Sequence, residues 1–189
     1  MRAERKTVAE LKDFSIRRAV MEDVDALDAL IEASVRGLQV DDYAPSVIDG
    51  ALKHALGLDR QLIEDGTYFV AEAADGTMVG CGGWSSRQKL CGSDHLPGES
   101  VGCTATSEQY AKIRAIYVHP AWARRGLGSF ILRHVESEAE AAGFRLLEMG
   151  STLTGVPLYS LRGYRETDRM GIALPNGETL EVVRMVKAL

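Results

Sequence analysis

Apolar and polar residues recur along this chain with two periods, and the changes of period mark out its elements. Phe14-Ser15-Ile16-Arg17-Arg18-Ala19 alternates as a half-buried strand does, so the fold is expected to begin near Asp13, after a polar leader over 1–13. Val24, Leu27, Leu30, Ile31, Val35 and Leu38 then return every three or four residues. With Glu22 and Asp23 at the start and Gly37 near the end, this predicts an amphipathic helix. A second helical pattern opens at Pro45, which a first turn tolerates, and runs through Val47, Ile48, Ala51, Leu52, Ala55 and Leu56 until Gly57 interrupts it. A short helix from Asp59 to Glu64 follows.

Two strands, Tyr68 to Ala73 and Met78 to Trp84, flank Asp75-Gly76, a strong signal for a hairpin turn. From Ser85 to Ala111 the chain is rich in Gly, Ser, Thr and other polar residues without a period, which reads as one long loop inside a domain. Beyond it the pattern predicts a strand over Ile113 to Val118, a helix over Leu127 to Ala142 stopped by Gly143, and a strand around Arg145 to Met149. A short helix with Pro157 to Leu161 and two strands flanking Pro175-Asn176-Gly177-Glu178 complete the chain. Strands and helices mix without strict alternation, and at least two hairpins occur. The expected class is α/β of the α+β type, with a mixed, largely antiparallel central sheet flanked by helices. The closing Val182, Val183, Met185 and Val186 offer a strand that could pair across a homodimer.

Composition narrows the function classes. A chain of 189 residues, 46% hydrophobic and 26% charged, suits one globular domain with one sizeable core. A formal net charge of -5 gives no basic field for a nucleic-acid backbone, so no nucleic-acid partner is expected. The charged N-terminus lacks a signal-peptide core, and no apolar run approaches the roughly 18 residues of a membrane span, so no membrane partner and a cytoplasmic location are expected. Three cysteines, Cys81, Cys91 and Cys103, imply no disulfide framework in that compartment. Cys91, His95 and Cys103 lack a fourth partner at the spacing of a zinc site, so no metal is expected.

The most informative stretch is His119-Pro120-Ala121-Trp122-Ala123-Arg124-Arg125-Gly126-Leu127-Gly128-Ser129, between a strand and a helix. Its glycines let a ligand approach the backbone, and the helix offers unpaired N–H groups and the positive end of its dipole to an anion. Arg124 and Arg125 would add charge and forked donors, so a pyrophosphate fits. A Gly-x-Gly pair also serves simple tight turns, and spacing alone leaves both readings open. The dinucleotide and P-loop fingerprints both fail: Ile131 occupies the position of a third glycine, and no Gly-Lys-Ser/Thr occurs.

With its preceding Val118-His119-Pro120 and its following apolar helix, the turn resembles the acetyl-CoA-binding motif of the GCN5-related N-acetyltransferase family. Ile16-Arg17-Arg18-Ala19 resembles the family's first strand, and Tyr159-Ser160-Leu161-Arg162-Gly163-Tyr164 resembles its closing Tyr-x-x-x-Gly-Phe/Tyr element. The resemblance covers Phe14 to the C-terminus apart from 85–111, and implies a single N-acetyltransferase domain over 14–189 with the acyl-CoA N-acyltransferase fold. The sequence departs from the family's Gln/Arg-x-x-Gly-x-Gly/Ala at Ala123, for which Arg124 could compensate, and Thr152 stands where asparagine is common.

That resemblance implies acetyl-CoA as cosubstrate, bound by backbone groups of Ile116, Tyr117 and Val118 and by Arg124, Arg125, Gly126, Leu127, Gly128 and Ser129. A small-molecule amine, or an amine of a peptide or protein, would attack the thioester directly, through a tetrahedral intermediate that expels CoA thiolate. Tyr159 matches the tyrosine that protonates the leaving sulfur; packing between Leu158 and Leu161 is its other reading. Glu72, Tyr117, His119, His95 and a water chain are candidates for the base. Asp41, Asp42 and Tyr43, with the long loop, are expected to shape the acceptor pocket. A non-catalytic acyl-CoA sensor and a transferase of longer acyl chains are the alternatives.

Overall fold

A computed structural model of the chain describes residues 14–52, 54–87 and 110–189. The expected leader over 1–13, and Cys91, His95 and Cys103 of the expected loop, lie outside the described residues. The elements run β1 (Phe14–Arg18), α1 (Val24–Leu38), α2 (Pro45–Ala51), α3 (Arg60–Glu64), β2 (Tyr68–Ala73) and β3 (Met78–Ser85). They continue β4 (Tyr110–Val118), α4 (Leu127–Ala141), β5 (Leu146–Thr152), α5 (Val156–Leu161), β6 (Arg165–Ala173) and β7 (Thr179–Ala188). Ser85, Tyr110 and Ala111, read from sequence as loop, are strand residues: Ser85 pairs with Lys112, and Tyr110 and Ala111 pair with Leu146 and Leu147.

The seven strands form one sheet in the order β1-β2-β3-β4-β5-β7-β6, antiparallel at every junction except β4 with β5. This is the mixed, largely antiparallel sheet expected. Helices cover both faces. On one, α1 contributes Leu27, Leu30, Ile31 and Val35, which meet Tyr68, Val70 and Cys81 of the sheet. On the other, α4 contributes Leu127, Ile131, Leu132 and Val135, which meet Phe69, Ala71 and Val79. Strand alternation sends neighbouring residues to opposite layers, so a strand covered on both sides buries successive residues into both cores.

That rule corrects the expectation that the valine-rich end pairs across a dimer. Val182 packs into one layer, Val183 and Met185 into the other, and β7 is hydrogen-bonded to β5 and to β6. Its backbone edges are already used within the chain. The second helix is also shorter than its apolar spacing predicts, because Leu52 is extended, with φ −58° and ψ 134°. A turn follows, in which Ala55 and Leu56 both donate to the Ala51 carbonyl and fall back on the same core. No described helix is long and apolar enough to cross a membrane.

Candidate functional site

The feature that makes a site is a parting of the two central strands. β4 pairs with β5 only from Tyr110, Ala111 and Lys112 to Leu146, Leu147 and Glu148. Past that point β4 stays on β3 as far as Val118 and β5 stays on β7 as far as Thr152. Two strand edges thus face each other without a ladder and leave backbone groups for a ligand. The cause lies in β4. Its register against β3 changes by one residue around Gly82, and Ala115 there has φ 51°, so β4 carries a bulge, which bends a strand and increases its twist.

Two neighbours hold the bulge. Tyr68 is fully buried, and its hydroxyl donates to the Ala115 carbonyl at 3.1 Å and lies within hydrogen-bond distance, 3.2 Å, of Cys81 Sγ. Gly82 supplies the space opposite, since a side chain there would overlap Ile116 and Ile131. Burial pushes the Cys81 thiol up to about 12, which keeps it protonated and removes it as a nucleophile at neutral pH.

The cleft between the parted strands is walled by Gln39, Leu56, Gly57, Arg114, Ile116, Tyr117, Ser151, Thr152 and Tyr159, among others. Of the residues singled out from sequence, it therefore unites Ile116, Tyr117 and Tyr159. Tyr159 sits on α5, its ring against the bare Cα of Gly155 and edge-on to Tyr164 at 5.8 Å. Its residue exposure is 8%, and burial raises its phenol above the ordinary range, so it remains a proton donor. Burial raises Tyr117 as well, with the Gly57 backbone amide pulling the other way. A phenol shifted upward is poorly suited to act as a base.

The other base and acceptor candidates lie elsewhere. Glu72 accepts from Arg17 Nε at 2.8 Å, where β1 meets β2. His119 Nδ1 accepts from the Ala121 N–H at 3.2 Å and caps the 3₁₀ turn Pro120–Trp122. His95 is outside the described residues. Asp41 and Asp42 are exposed, Asp42 accepting from Thr154 Oγ1 at 2.6 Å. Tyr43 turns inward as a strut: its hydroxyl donates to the Glu181 carbonyl at 2.6 Å and accepts from the Leu153 N–H at 2.8 Å. Asp41, Asp42 and Tyr43 are thus absent from the cleft walls. Among the described residues the walls carry no carboxylate and no imidazole.

The glycine turn closes the outer end of β4. Arg124 and Gly126 both have left-handed backbones, φ 62° and 85°, and Gly126 caps α4 without any side-chain hydrogen bond. A left-handed arginine costs about 1–2 kcal/mol and is the kind of outlier that marks a functional turn. The first N–H groups of α4, at Leu127, Gly128 and Ser129, are thereby left for a ligand or solvent. Leu127's side chain is in the core, so only its backbone can serve. Ser129 Oγ accepts from Arg162 Nε at 3.0 Å, tying the turn to the end of α5. Arg125 stacks over Trp122 at 5.0 Å. A side chain on Gly128 would stand 3.1 Å from Leu158 and 3.7 Å from Val118, so the turn abuts both α5 and β4. Val118's own N–H donates to Ser34 Oγ at 3.3 Å, so that amide is already engaged.

Sequence reasoning missed Gln39, Gly57 and Ser151. Each is an ordinary residue locally, and only the parting of β4 from β5 brings them to one cleft.

Solved structures with this architecture include a GCN5-related N-acetyltransferase from Rhodopseudomonas palustris, with TM-score 0.69 at 21% identity, covering 93% of this chain and 95% of that one. The PaiA N-acetyltransferase of Thermoplasma acidophilum, in complex with coenzyme A, gives 0.63 at 14% identity over 93% and 99%. A GCN5-related N-acetyltransferase from Kribbella flavida gives 0.60 at 18% over 95% and 99%. No curated protein matches the sequence. Likeness at such low identity speaks for the fold alone, and membership rests instead on a match of the acetyltransferase (GNAT) family to residues 33–164, from α1 through the glycine turn to Tyr164. The chain belongs to the acetyltransferase (GNAT) family.

Proposed function

We propose that this chain transfers an acetyl group from acetyl-CoA to an amine within a ternary complex. The observation that carries the reading is the ladderless cleft between β4 and β5, ending beside the uncapped N-terminus of α4. The residues present fit the cosubstrate. Backbone N–H groups of Gly126 to Ser129, with Arg124 and Arg125 exposed beside them, suit a pyrophosphate, and the edge of β4 that parts from β5 over Ile116, Tyr117 and Val118 suits a pantetheine amide. A CoA-bound relative with this fold supports the assignment. Acetyl-CoA would supply an activated thioester carbonyl. Tyr159 holds the proton for the departing sulfur, and the backbone of β4 and the turn orient the donor. With no carboxylate or imidazole among the described walls, the amine reaches the thioester as its free base or yields its proton to water.

Acetyl-CoA is expected to raise the melting temperature, and free thiol should be released when primary amines are added. Gly126→Val tests the donor site. The space around Gly126 is open, so the variant folds, but a β-branched residue at φ 85° distorts the turn; acetyl-CoA affinity should fall at least about tenfold, which calorimetric titration measures. Unchanged affinity would move the pyrophosphate elsewhere.

The pH profile follows from the same residues. kcat/KM should climb through about pH 7–9 towards the pKa of the amine itself, without the plateau that a histidine base gives near 6.5. On the alkaline side, the upward shift of Tyr159 keeps the acid protonated past the ordinary phenol value, so no fall is expected below about pH 10. A plateau near neutrality would reveal a base. The absence of a base among the described walls also favours a second reading, a sensor that binds acyl-CoA without turnover. It predicts the thermal shift without thiol release for any amine.

A further inference from the structure

We propose that Gln39 is the side chain that recognises the acceptor, and that it selects a small monoamine over a polyamine; this rests on the acetyl-transfer reading above. Gln39 ends α1 with its backbone fully engaged. Its N–H donates to the Val35 carbonyl at 3.2 Å, and its own carbonyl accepts from Asp42 and Tyr43 at 3.1 and 3.0 Å. Its side chain is different. The residue is 6% exposed, Oε1 is buried, and among the described residues that oxygen has no hydrogen-bond partner. Buried polar atoms are nearly always paired, and an exception calls for a reason such as a ligand. Here the residue lines the cleft alongside Leu56, Gly57, Tyr117 and Tyr159.

The placement is rigid. Tyr43, four residues on, ties the end of α1 to β7 through the Glu181 carbonyl and to the residue after β5 through the Leu153 N–H. Gln39 is therefore held at a set position relative to the β5 wall that carries Ser151 and Thr152. A carboxamide there accepts an N–H from an incoming amine and turns the nitrogen lone pair away from itself; rotated, it donates to a neighbouring acceptor oxygen instead.

The charge on the walls defines the substrate class. Arg114 is the charged residue among the described lining, and it is paired with Asp59 at 2.9 Å. A second ammonium group brought into this cleft would meet no carboxylate on the described walls, and burying an unpaired charge is strongly unfavourable. The apolar and aromatic surface of Leu56, Tyr117 and Tyr159 suits the body of a monoamine.

The test uses the full chain, acetyl-CoA, and two sets of probes: 2-phenylethylamine, tyramine and benzylamine against spermidine and putrescine. Wild type should show kcat/KM for a monoamine at least about tenfold above that for either polyamine. Gln39→Met keeps the length and removes the unpaired polar atom. It should melt no lower than wild type, keep the KM for acetyl-CoA, and raise the monoamine KM about tenfold. Gln39→Glu, which adds the missing carboxylate, should shift preference towards spermidine. An unchanged amine KM in Gln39→Met, or a clear fall in its melting temperature, would assign the residue to packing and overturn the proposal. Polyamine preference in wild type, or acetyl-CoA binding without turnover of any probe, overturns the substrate class. Failure of wild type to bind acetyl-CoA at all would instead bring down the transfer reading itself.

Discussion

Tyr159→Phe should lower kcat by about 10²–10³-fold, the range in which a well-placed general acid contributes, while the melting temperature and the affinity for CoA stay near wild type. The separation is expected from the way the residue is held. Its ring packs on Gly155 and edge-on against Tyr164, contacts that phenylalanine retains. Among the described residues its hydroxyl makes no hydrogen bond, so its removal leaves no buried group unpaired. The deficit should also depend on the leaving group. An acetyl thioester of a more acidic thiol needs less help from a proton donor, and the variant should recover part of its rate on such a donor. Steady-state thiol release with both thioesters measures this. Equal rates for variant and wild type would return Tyr159 to the alternative of a packed aromatic.

Gly82→Val should destabilise the fold by about 2–3 kcal/mol through overpacking, a fall of roughly 5–10 °C in melting temperature for a chain of this size. The new Cβ would overlap Ile116, and it would stand 2.9 Å from Ile131 Cγ2. Ile131 is 1% exposed and has no room to withdraw, so the strain passes to Ile116 and the bulge beside Ala115. The consequence reaches the site, because the bulge accompanies the departure of β4 from β5. The thermal shift produced by acetyl-CoA should shrink in the same variant. Calorimetric melting with and without acetyl-CoA checks both effects, and a melting temperature within a degree of wild type would mean that β4 tolerates a side chain opposite its bulge.

Much of this molecule is legible in local patterns. The threefold and fourfold spacing of Leu27, Leu30, Ile31 and Val35 predicts α1 with its buried face, and Asp75-Gly76 predicts the hairpin that β2 and β3 form. The helix after Gly126 starts and ends within a residue of expectation. Such features depend on residues close in sequence, so a short window contains their cause. Elsewhere the same patterns misled. Leu52, Ala55 and Leu56 keep a helical spacing while occupying a turn, because burial on one core is satisfied by either conformation.

By itself, the sequence determined the element types, the class of the sheet and the glycine turn whose family resemblance pointed to an acyl-CoA donor. Those depend on period, turn chemistry and the backbone freedom of glycine. Tertiary structure alone decided which strands are neighbours and where two of them part. It placed valine-rich β7 in the interior of the sheet, engaged Glu72 with Arg17, made His119 a cap, and carried Gln39 from the end of a helix into the cleft. The physical reason is range. A residue's neighbours along the chain state which way it faces, whereas the partner it meets there is set by segments dozens of residues away, through packing that no local window contains.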